Sequence, residues 1–392
     1  MPLFFWVGRK IFGLNPFGYH FIVFAFHFLN IALIGYISLK LIKKIKAAII
    51  SSFLYSTAAF HFMSLSWLSL AWNVFGQFFF LLSFVFYIKF REKKSTIYLF
   101  ATLFSFLAAF LSFEFAIVFP VLILICEYVN HPKFEKNFTK SIPVIIPVAV
   151  VILVYLFSRF FLYPIPAQGE YKISIEPDTF KNLAFYGLWL FNVPEELKYQ
   201  VIISKLYITS NLLNAMGNLL IPVVFLFFLN IILIAIIAIS TFNKHIMRYL
   251  FSSIVFFIIG LAPVLFLTKH TFPYYLTVPS IYMFLFLGML VSSHMEKFKN
   301  TKKIFLGYMF IIGWLTLSVL TLNLTKRIHW LSGEQSISKK TIEMILNEYP
   351  KLPDSKIVFV KDANGQVKQS LMDQNAFKVI YNNDEVRTIF EK

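Results

Sequence analysis

The sequence predicts an all-α polytopic membrane protein with about ten transmembrane helices and a small α/β extracytoplasmic C-terminal tail. Hydrophobic residues make up 58% of the chain and charged residues only 14%. Apolar runs of about twenty residues recur along it, and each is long enough to cross a hydrocarbon core of roughly 30 Å. The net charge of +17 lies in short clusters between these runs. That distribution is typical of membrane protein loops and argues against nucleic acid as a partner.

The predicted transmembrane helices follow the apolar runs. They cover residues 17–39, 47–67, 70–90, 96–113, 115–129, 141–163, 216–239, 247–268, 274–293 and 304–323. The fifth run is short and contains Pro120, so we expect it to be partly re-entrant or buried among its neighbours. The single cysteine, Cys126, lies in this run and excludes an intrachain disulfide framework.

Basic residues fall in every second connection between the runs. The clusters lie within residues 40–46, 89–94, 133–140, 244–248 and 297–303. The short alternate connections hold Lys269 as their one basic residue. The positive-inside rule therefore predicts a cell-membrane protein with these clusters in the cytoplasm and both chain ends outside. Since the first helix would then insert with its N-terminus translocated, we expect a further helix upstream of Met1.

Three segments are predicted to be extracytoplasmic. Residues 1–16 form a juxtamembrane segment, 164–215 a long loop within the transmembrane domain (17–323), and 324–392 a small domain. In the loop, Pro164 and Pro166 precede an aromatic stretch at 180–193 that we expect to form an interfacial amphipathic helix. In the tail, the pattern predicts a helix over 338–349, a strand over 357–360, a turn at Asn364-Gly365 and a last helix near 384–390.

The chain lacks the motifs of soluble enzymes, so candidate residues are polar groups at the outer helix ends, where burying them is costly. Glu114, at the junction of the fourth and fifth helices, is either an acid, base or ligand of a divalent metal ion, or a residue that caps the fifth helix. Arg159, about one turn from the outer end of the sixth helix, either binds a lipid phosphate or reaches out to the headgroups.

Histidine, amide and tyrosine side chains add to this set. His20 and His27 are two turns apart and share one helix face, where either can contact a substrate or bond to a neighbouring helix. The other candidates are His61 and Asn73, beside Trp67 and Trp72, and Tyr274 and Tyr275, just after Lys269. Interfacial tryptophan and tyrosine also serve as simple membrane anchors. All the candidates lie on one side of the membrane and no internal repeat is evident, which argues against a transporter.

Several segments resemble GT-C-type glycosyltransferases, in particular proteins similar to protein O-mannosyltransferases. The stretch FGLNPFGYHFIVFAFHFLNIAL at 12–33 is similar to a family segment and matches Pro16, Tyr19, His20 and His27. FLSFEFAIVFPVLIL resembles a later segment and matches Glu114 and Pro120. GLAPVLF at 260–266, YYLTVPS at 274–280 and the tail opening RIHW also resemble the family. The resemblance extends over roughly residues 10–360.

The resemblance implies a membrane glycosyltransferase that moves a sugar from a polyprenyl-phosphate donor to a glycan, lipid or protein acceptor outside the membrane. Arg159, with Lys269, would hold the donor phosphate, and Glu114 and His20 would line the cavity. The family's acidic catalytic residue lies in a first outer loop that would precede Met1, and Phe113 and Asn73 replace residues usual in relatives. The chain is then a truncated or inactive form. The alternative is a non-catalytic protein of cell-envelope polysaccharide assembly, such as a flippase, polymerase or scaffold.

Overall fold

Two compact units make up the chain in a computed structural model. They are Met1–Leu322 and Asn323–Lys392. The structure describes residues 2–130, 138–163, 169–202, 207–208, 214, 216–298 and 301–391. The predicted loop prolines Pro164 and Pro166 and the basic residues Lys133, Lys136 and Lys299 lie outside these ranges.

The first unit is a bundle of α-helices. Its first half contains α1 (Pro2–Phe12), α2 (Pro16–Ile42), α3 (Ile45–Ser56), α4 (Phe62–Ser66), α5 (Ala71–Lys93), α6 (Thr96–Ser112), α7 (Phe119–Asn130) and α8 (Ile142–Phe157). Its second half contains α9 (Pro177–Leu190), α10 (Leu197–Gln200), α11 (Leu220–Thr241), α12 (Lys244–Leu265) and α13 (Ile281–Lys297), and α14 (Thr301–Ile328) leads into the second unit. Strands β1 (Val201–Ile202) and β2 (Tyr207–Ile208) pair antiparallel.

Six helices of the described chain, counted with the helical turns continuous with them, are long and apolar enough to cross a membrane. They are Pro16–Ile42, Leu68–Lys93, Thr139–Leu162, Gly217–Thr241, Lys244–Leu265 and Lys303–Ile328. The pair Ile45–Ser56 and Ala59–Ser66, bent by 50°, makes a seventh if it is counted as one span. The fold is therefore that of a mainly helical, multi-pass membrane protein, and the predicted number of about ten spans is not confirmed.

The number of spans differs from the predicted number because of the local structure of some apolar runs. Helices lie at each predicted position, but several apolar runs are only partly α-helical. In the fifth run Glu114–Val118 forms a 3₁₀ helix and α7 has only 12 residues. In the ninth run Pro273–Thr277 forms a 3₁₀ helix before the 17 residues of α13. Hydropathy measures how apolar a run is and does not distinguish these two kinds of helix.

Helix α13 lies at the centre of the bundle. Phe284, Leu285 and Leu287 are almost completely buried, and polar residues such as Ser292 are buried too. A helix that is apolar all round is expected in such a position. It packs closely on α3 at Gly288, where an added Cβ would lie 2.1 Å from the Ser51 hydroxyl oxygen. A small residue is thus required for this helix contact.

The basic connections meet at one end of the bundle, which we call the basic end. Lys40 pairs with Glu92 at 3.1 Å, and Lys44 pairs with Glu296 at 2.6 Å. Slightly deeper, Arg91 pairs with Glu127 at 2.5 Å. Glu127 is 1% exposed and is a buried carboxylate outside the predicted set of site residues. Since a buried charge is costly without a partner, this pair is a structural requirement of α7.

The predicted interfacial helix of the long loop is part of the packed protein. Helix α9 begins at Pro177, three residues before the predicted start, with a capping box between Glu176 and Thr179. Phe185, Tyr186 and Trp189 are each at most 2% exposed. The aromatic face of this helix is therefore covered by protein. The predicted juxtamembrane segment similarly contains α1, and Phe4 of that helix stacks edge-on against Tyr19 of α2.

The second unit is a small α/β domain. It contains α15 (Trp330–Glu348), β3 (Ile357–Lys361), α16 (Gln366–Ser370), α17 (Asn375–Tyr381) and β4 (Arg387–Glu391). Strands β3 and β4 pair in parallel. The core of the domain includes Ile345, Val358, Val360 and Phe377. The predicted helix over 338–349 and strand over 357–360 coincide with α15 and β3, although α15 begins eight residues earlier.

The predicted last helix near 384–390 is wrong, because these residues lead into and form strand β4. Residues of β4 alternate between exposed (Arg387, Ile389 and Glu391) and half-buried (Thr388 and Phe390). This period of two fits one covered sheet face, and pairing with β3 stabilises it. Seven residues are too few to separate a helical period from a strand period.

Candidate functional site

The predicted site residues lie at the end of the bundle opposite the basic end, around the connection between α12 and α13. Here Pro273 opens the short 3₁₀ helix Pro273–Thr277, and its five residues are all buried. The fixed φ of proline suits the first position of a helix. Tyr274 and Tyr275 are 4% and 7% exposed, so this aromatic turn is held inside the protein.

Amide side chains from α5 hold the turn in place. The Asn73 Nδ2 group donates to the Tyr274 carbonyl at 2.9 Å, and Asn73 Oδ1 accepts from the Thr277 hydroxyl at 2.8 Å. Gln77, one turn along α5, donates to the Thr277 carbonyl at 2.8 Å. Asn73 is only 1% exposed. Its contacts are those of a residue that positions the tyrosines.

Glu114 and Arg159 are brought together by a tyrosine. The Tyr155 hydroxyl of α8 lies close to the Glu114 carboxylate and to the Arg159 guanidinium and interacts with both. Glu114 is exposed, while Tyr155 and Arg159 are half-buried. Arg159 lies in a short π-helical turn, Ser158–Leu162, that extends α8. A carboxylate and a guanidinium, with a phenol close to both, are therefore accessible at the end of the bundle.

Tyr275 connects this group to the α12–α13 connection. Its ring stacks on Phe115 with centroids 5.3 Å apart, and its hydroxyl lies within electrostatic range of Glu114. It also contacts Tyr274, at 4.4 Å between ring centroids. Four of the predicted residues, Glu114, Arg159, Tyr274 and Tyr275, thus form one connected group.

His270 adds a titratable side chain that the sequence analysis did not select. Its Nε2 atom lies 3.4 Å from the Tyr274 hydroxyl, and its Nδ1 atom lies 3.6 Å from the Glu170 carboxylate. The Tyr171 ring lies 4.4 Å from the His270 ring. Burial lowers the pKa of His270 below its ordinary value, against the opposing effect of Glu170. At neutral pH this ring is therefore mainly uncharged.

The remaining predicted histidines are engaged elsewhere. The His20 Nδ1 atom contacts the Leu65 carbonyl at 3.2 Å, and no described contact joins it to Glu114 or Arg159. His61 is buried, donates from Nε2 to the Tyr55 carbonyl at 3.0 Å, and lies 4.6 Å from the His27 ring. Tyr55 in turn donates to Gln77 at 2.7 Å, so a chain of hydrogen bonds through Tyr55 and Gln77 connects His61 to the turn.

Lys269 is exposed and makes no hydrogen bond or ion pair with any described residue. The lysine that contacts the connection is Lys198 of α10, whose Nζ atom donates to the Thr271 carbonyl at 2.9 Å. Burial lowers the pKa of Lys198 to about 8, although the nearby carboxylate of Glu195 acts to raise it. Lys198 thus loses its positive charge as the pH rises through about 8.

Two carboxylates of the long loop are also buried beside this group. Glu195 and Glu196 are 6% and 8% exposed, and Glu195 lies within electrostatic range of Lys198, Tyr186 and Tyr274. The sequence signal for them is only the acidic pair in VPEEL, in a loop predicted to be extracytoplasmic. Their burial depends on α9 folding back onto the bundle, which sequence patterns do not reveal.

The geometry does not provide a recognisable metal site in the part of the chain that the structure describes. No three His, Cys, Asp or Glu side chains there are arranged to hold a metal ion. The group can instead bind an anion at Arg159 and present a carboxylate beside it. Comparisons of the chain with protein families, with curated proteins and with solved structures give no match.

Proposed function

We propose that the protein is a GT-C-like membrane glycosyltransferase, or part of one, that transfers a sugar from a polyprenyl-phosphate donor to an acceptor hydroxyl. We further propose that it lies in the cell membrane with the basic end in the cytoplasm and both chain ends outside. The charge alternation along the sequence supports this orientation. The acceptor would be a glycan, a lipid or a protein.

The observation that carries the proposal is the contact of Tyr155 with both Glu114 and Arg159. A guanidinium at the membrane surface suits a lipid phosphate because it donates two parallel hydrogen bonds to phosphate oxygens. The Glu114 carboxylate lies close to the same tyrosine as that guanidinium. It would therefore lie where an acceptor hydroxyl approaches the sugar. Tyr155 and Arg159 lie one turn apart on α8 and its extension, whereas Glu114 comes from a separate segment at the end of α6.

In the proposed reaction, Glu114 accepts the proton of the acceptor hydroxyl as that oxygen forms a bond to the anomeric carbon. The bond between the anomeric carbon and the phosphate oxygen breaks, and the polyprenyl phosphate leaves with the electron pair. Arg159 stabilises the negative charge that develops on the leaving phosphate. Tyr155 holds the Glu114 carboxylate and the Arg159 guanidinium in position before the donor binds.

The test is to substitute the two charged residues in the complete gene product reconstituted into vesicles. Transfer from a synthetic polyprenyl-phosphate sugar is measured for Arg159→Gln and Glu114→Gln. Loss of a transition-state donor or of a general base typically lowers the rate by about 100-fold or more, and we expect that for each variant.

The controls are Arg387→Gln and Glu348→Gln, which remove the same charges from exposed positions of the second unit. We expect both controls to retain wild-type transfer. Unchanged transfer in both test variants would overturn the proposal and favour the non-catalytic role in polysaccharide assembly.

A further inference from the structure

An apolar groove lies between α7 and α12, away from the candidate site. It has a volume of about 350 Å³. Four residues of each helix line it, among them Leu124 and Tyr128 of α7 and Phe251 and Val255 of α12. From Phe251 to Ile259 it extends for about 12 Å along the helix axis, at 1.5 Å per residue. Since α12 is a membrane-spanning helix, the groove lies within the apolar part of the bilayer.

One polar side chain in the groove has no partner. Ser252 is 1% exposed, lines the groove, and its hydroxyl makes no hydrogen bond with the described chain. An unsatisfied buried hydroxyl is unfavourable, and in most proteins such a group finds a partner. The Ser252 hydroxyl is therefore a free donor beside the groove.

Cationic side chains stand above the groove at the basic end. Lys244 and Arg248 are separated by one turn of α12, and Phe251, Val255 and Ile259 continue the same helix face. Arg248 is half-buried and has no ion pair or hydrogen bond with any residue that the structure describes. Near the start of α12, the Glu296 carboxylate is paired with Lys44.

The N-terminal end of α12 adds to the positive potential there. His245 lies within electrostatic range of both Arg248 and Lys44. Helix α12 begins at this point with Asn243 as its N-cap, so the positive end of the helix dipole faces the same corner. The corner therefore attracts an anion at the level where the lipid headgroups lie.

We propose that this groove holds an anionic phospholipid of the surrounding bilayer. One acyl chain lies along Phe251, Val255 and Leu124, an ester oxygen accepts from Ser252, and the headgroup phosphate contacts Arg248 and Lys244. The two cations match a headgroup that carries net negative charge better than a zwitterionic one. This lipid site is independent of the proposed function, because it lies at the other end of the bundle.

The test is to purify the full chain in detergent and to measure the phospholipid that remains bound, by native mass spectrometry. The protein is exposed beforehand to equal amounts of phosphatidylglycerol and phosphatidylcholine. We expect the wild-type chain to retain phosphatidylglycerol preferentially. Arg248→Gln should retain it about tenfold less, as expected for loss of one charge-assisted contact to phosphate.

Two further variants sharpen the test. Lys93→Gln removes a charge at the basic end on α5 and should retain phosphatidylglycerol like the wild type. Val255→Trp fills the groove without changing charge and should lose the bound lipid. Equal retention of the two lipids by the wild type, or equal retention of phosphatidylglycerol by Arg248→Gln and the wild type, would overturn the proposal.

Discussion

Three amide side chains, of Asn73, Gln77 and Asn192, bond to backbone groups at the ends of irregular helices. Asn73 and Gln77 donate to carbonyls of the Pro273–Thr277 turn, and Asn192 accepts from the Ala59 amide at 2.7 Å. In a membrane protein such backbone groups have no water to bond to, so side chains must replace it. The position of Asn73 near the outer turn could be predicted from the sequence, but its backbone partner could not, because that partner is about 200 residues away.

Removing the Asn73 amide leaves the Tyr274 carbonyl and the Thr277 hydroxyl, in a buried site, with only their 3.3 Å hydrogen bond to each other. Asn73→Ala should therefore destabilise the protein by about 1–3 kcal/mol. The measurement is thermal unfolding of the purified full chain in detergent. Asn347→Ala, at an exposed position of α15, is the matched control and should unfold like the wild type. Equal unfolding temperatures for Asn73→Ala and the control would contradict the positioning role.

Lys198 should make the stability of the folded chain depend on pH, and the direction of this dependence follows from its pKa. Burial lowers the pKa of Lys198 to about 8 in the folded chain, so the unfolded chain binds this proton more tightly than the folded chain does. Between about pH 8 and the ordinary lysine value of about 10.4, the stability contributed by Lys198 should rise with pH.

This prediction is tested by the difference in unfolding temperature between the wild type and Lys198→Gln. The difference should shift in favour of the wild type as pH increases from 8 to 10. A difference that does not change with pH would show that Lys198 has an ordinary pKa.

At the level of elements, the sequence indicated where the helices lie. It did not indicate where an apolar run is divided into two helices. The second apolar run was expected to be one helix over 47–67, yet the chain bends at Thr57–Ala58. No proline or glycine marks this bend. Instead, distant groups satisfy the backbone there. Ser318 donates to the Thr57 carbonyl, and Trp314 donates to the Thr57 hydroxyl at 3.1 Å. Contacts so far apart in sequence are invisible to a local pattern.

Contacts between residues far apart in sequence also explain why the buried residues of the long loop were not predicted. Glu195 and Lys198 are polar and follow Pro194 in the predicted extracytoplasmic loop, and nothing in the local pattern marks them as buried. They are buried or half-buried because Asn192 fixes the loop against the bend, with its carbonyl accepting from the Thr321 hydroxyl at 2.6 Å. Conversely, Glu114 and Arg159 could be selected from the sequence because a charge in an apolar run is conspicuous wherever it folds.

Asn192 offers a test of this element-level account. Its φ of 61° lies in the left-handed region, which favours glycine and asparagine. Both Asn192→Gly and Asn192→Ala lose the bond to the Ala59 amide, which should cost about 1 kcal/mol. The alanine variant should lose about 1 kcal/mol more, because alanine resists a positive φ. Unfolding temperatures in the order wild type, glycine, alanine are expected, and an alanine variant as stable as the glycine variant would contradict the account.

The helical bundle of the first unit has two chemically distinct ends. The basic end joins its connections by ion pairs such as Lys40–Glu92 and Lys44–Glu296. The other end gathers Glu114, Arg159 and the tyrosines of the α12–α13 connection. Both proposals depend on this polarity, since a sugar donor and an anionic headgroup are placed at opposite ends. The proposed orientation assigns the candidate site to the outer face.

Cysteine labelling of intact cells tests that orientation most directly. In a Cys126→Ser background, single cysteines are introduced at the exposed positions Lys172, beside the candidate site, and Lys93, at the basic end. A membrane-impermeant maleimide should label Lys172→Cys in intact cells, and Lys93→Cys only after permeabilisation. Labelling of Lys93→Cys but not Lys172→Cys in intact cells, or of both, would contradict an outward-facing site.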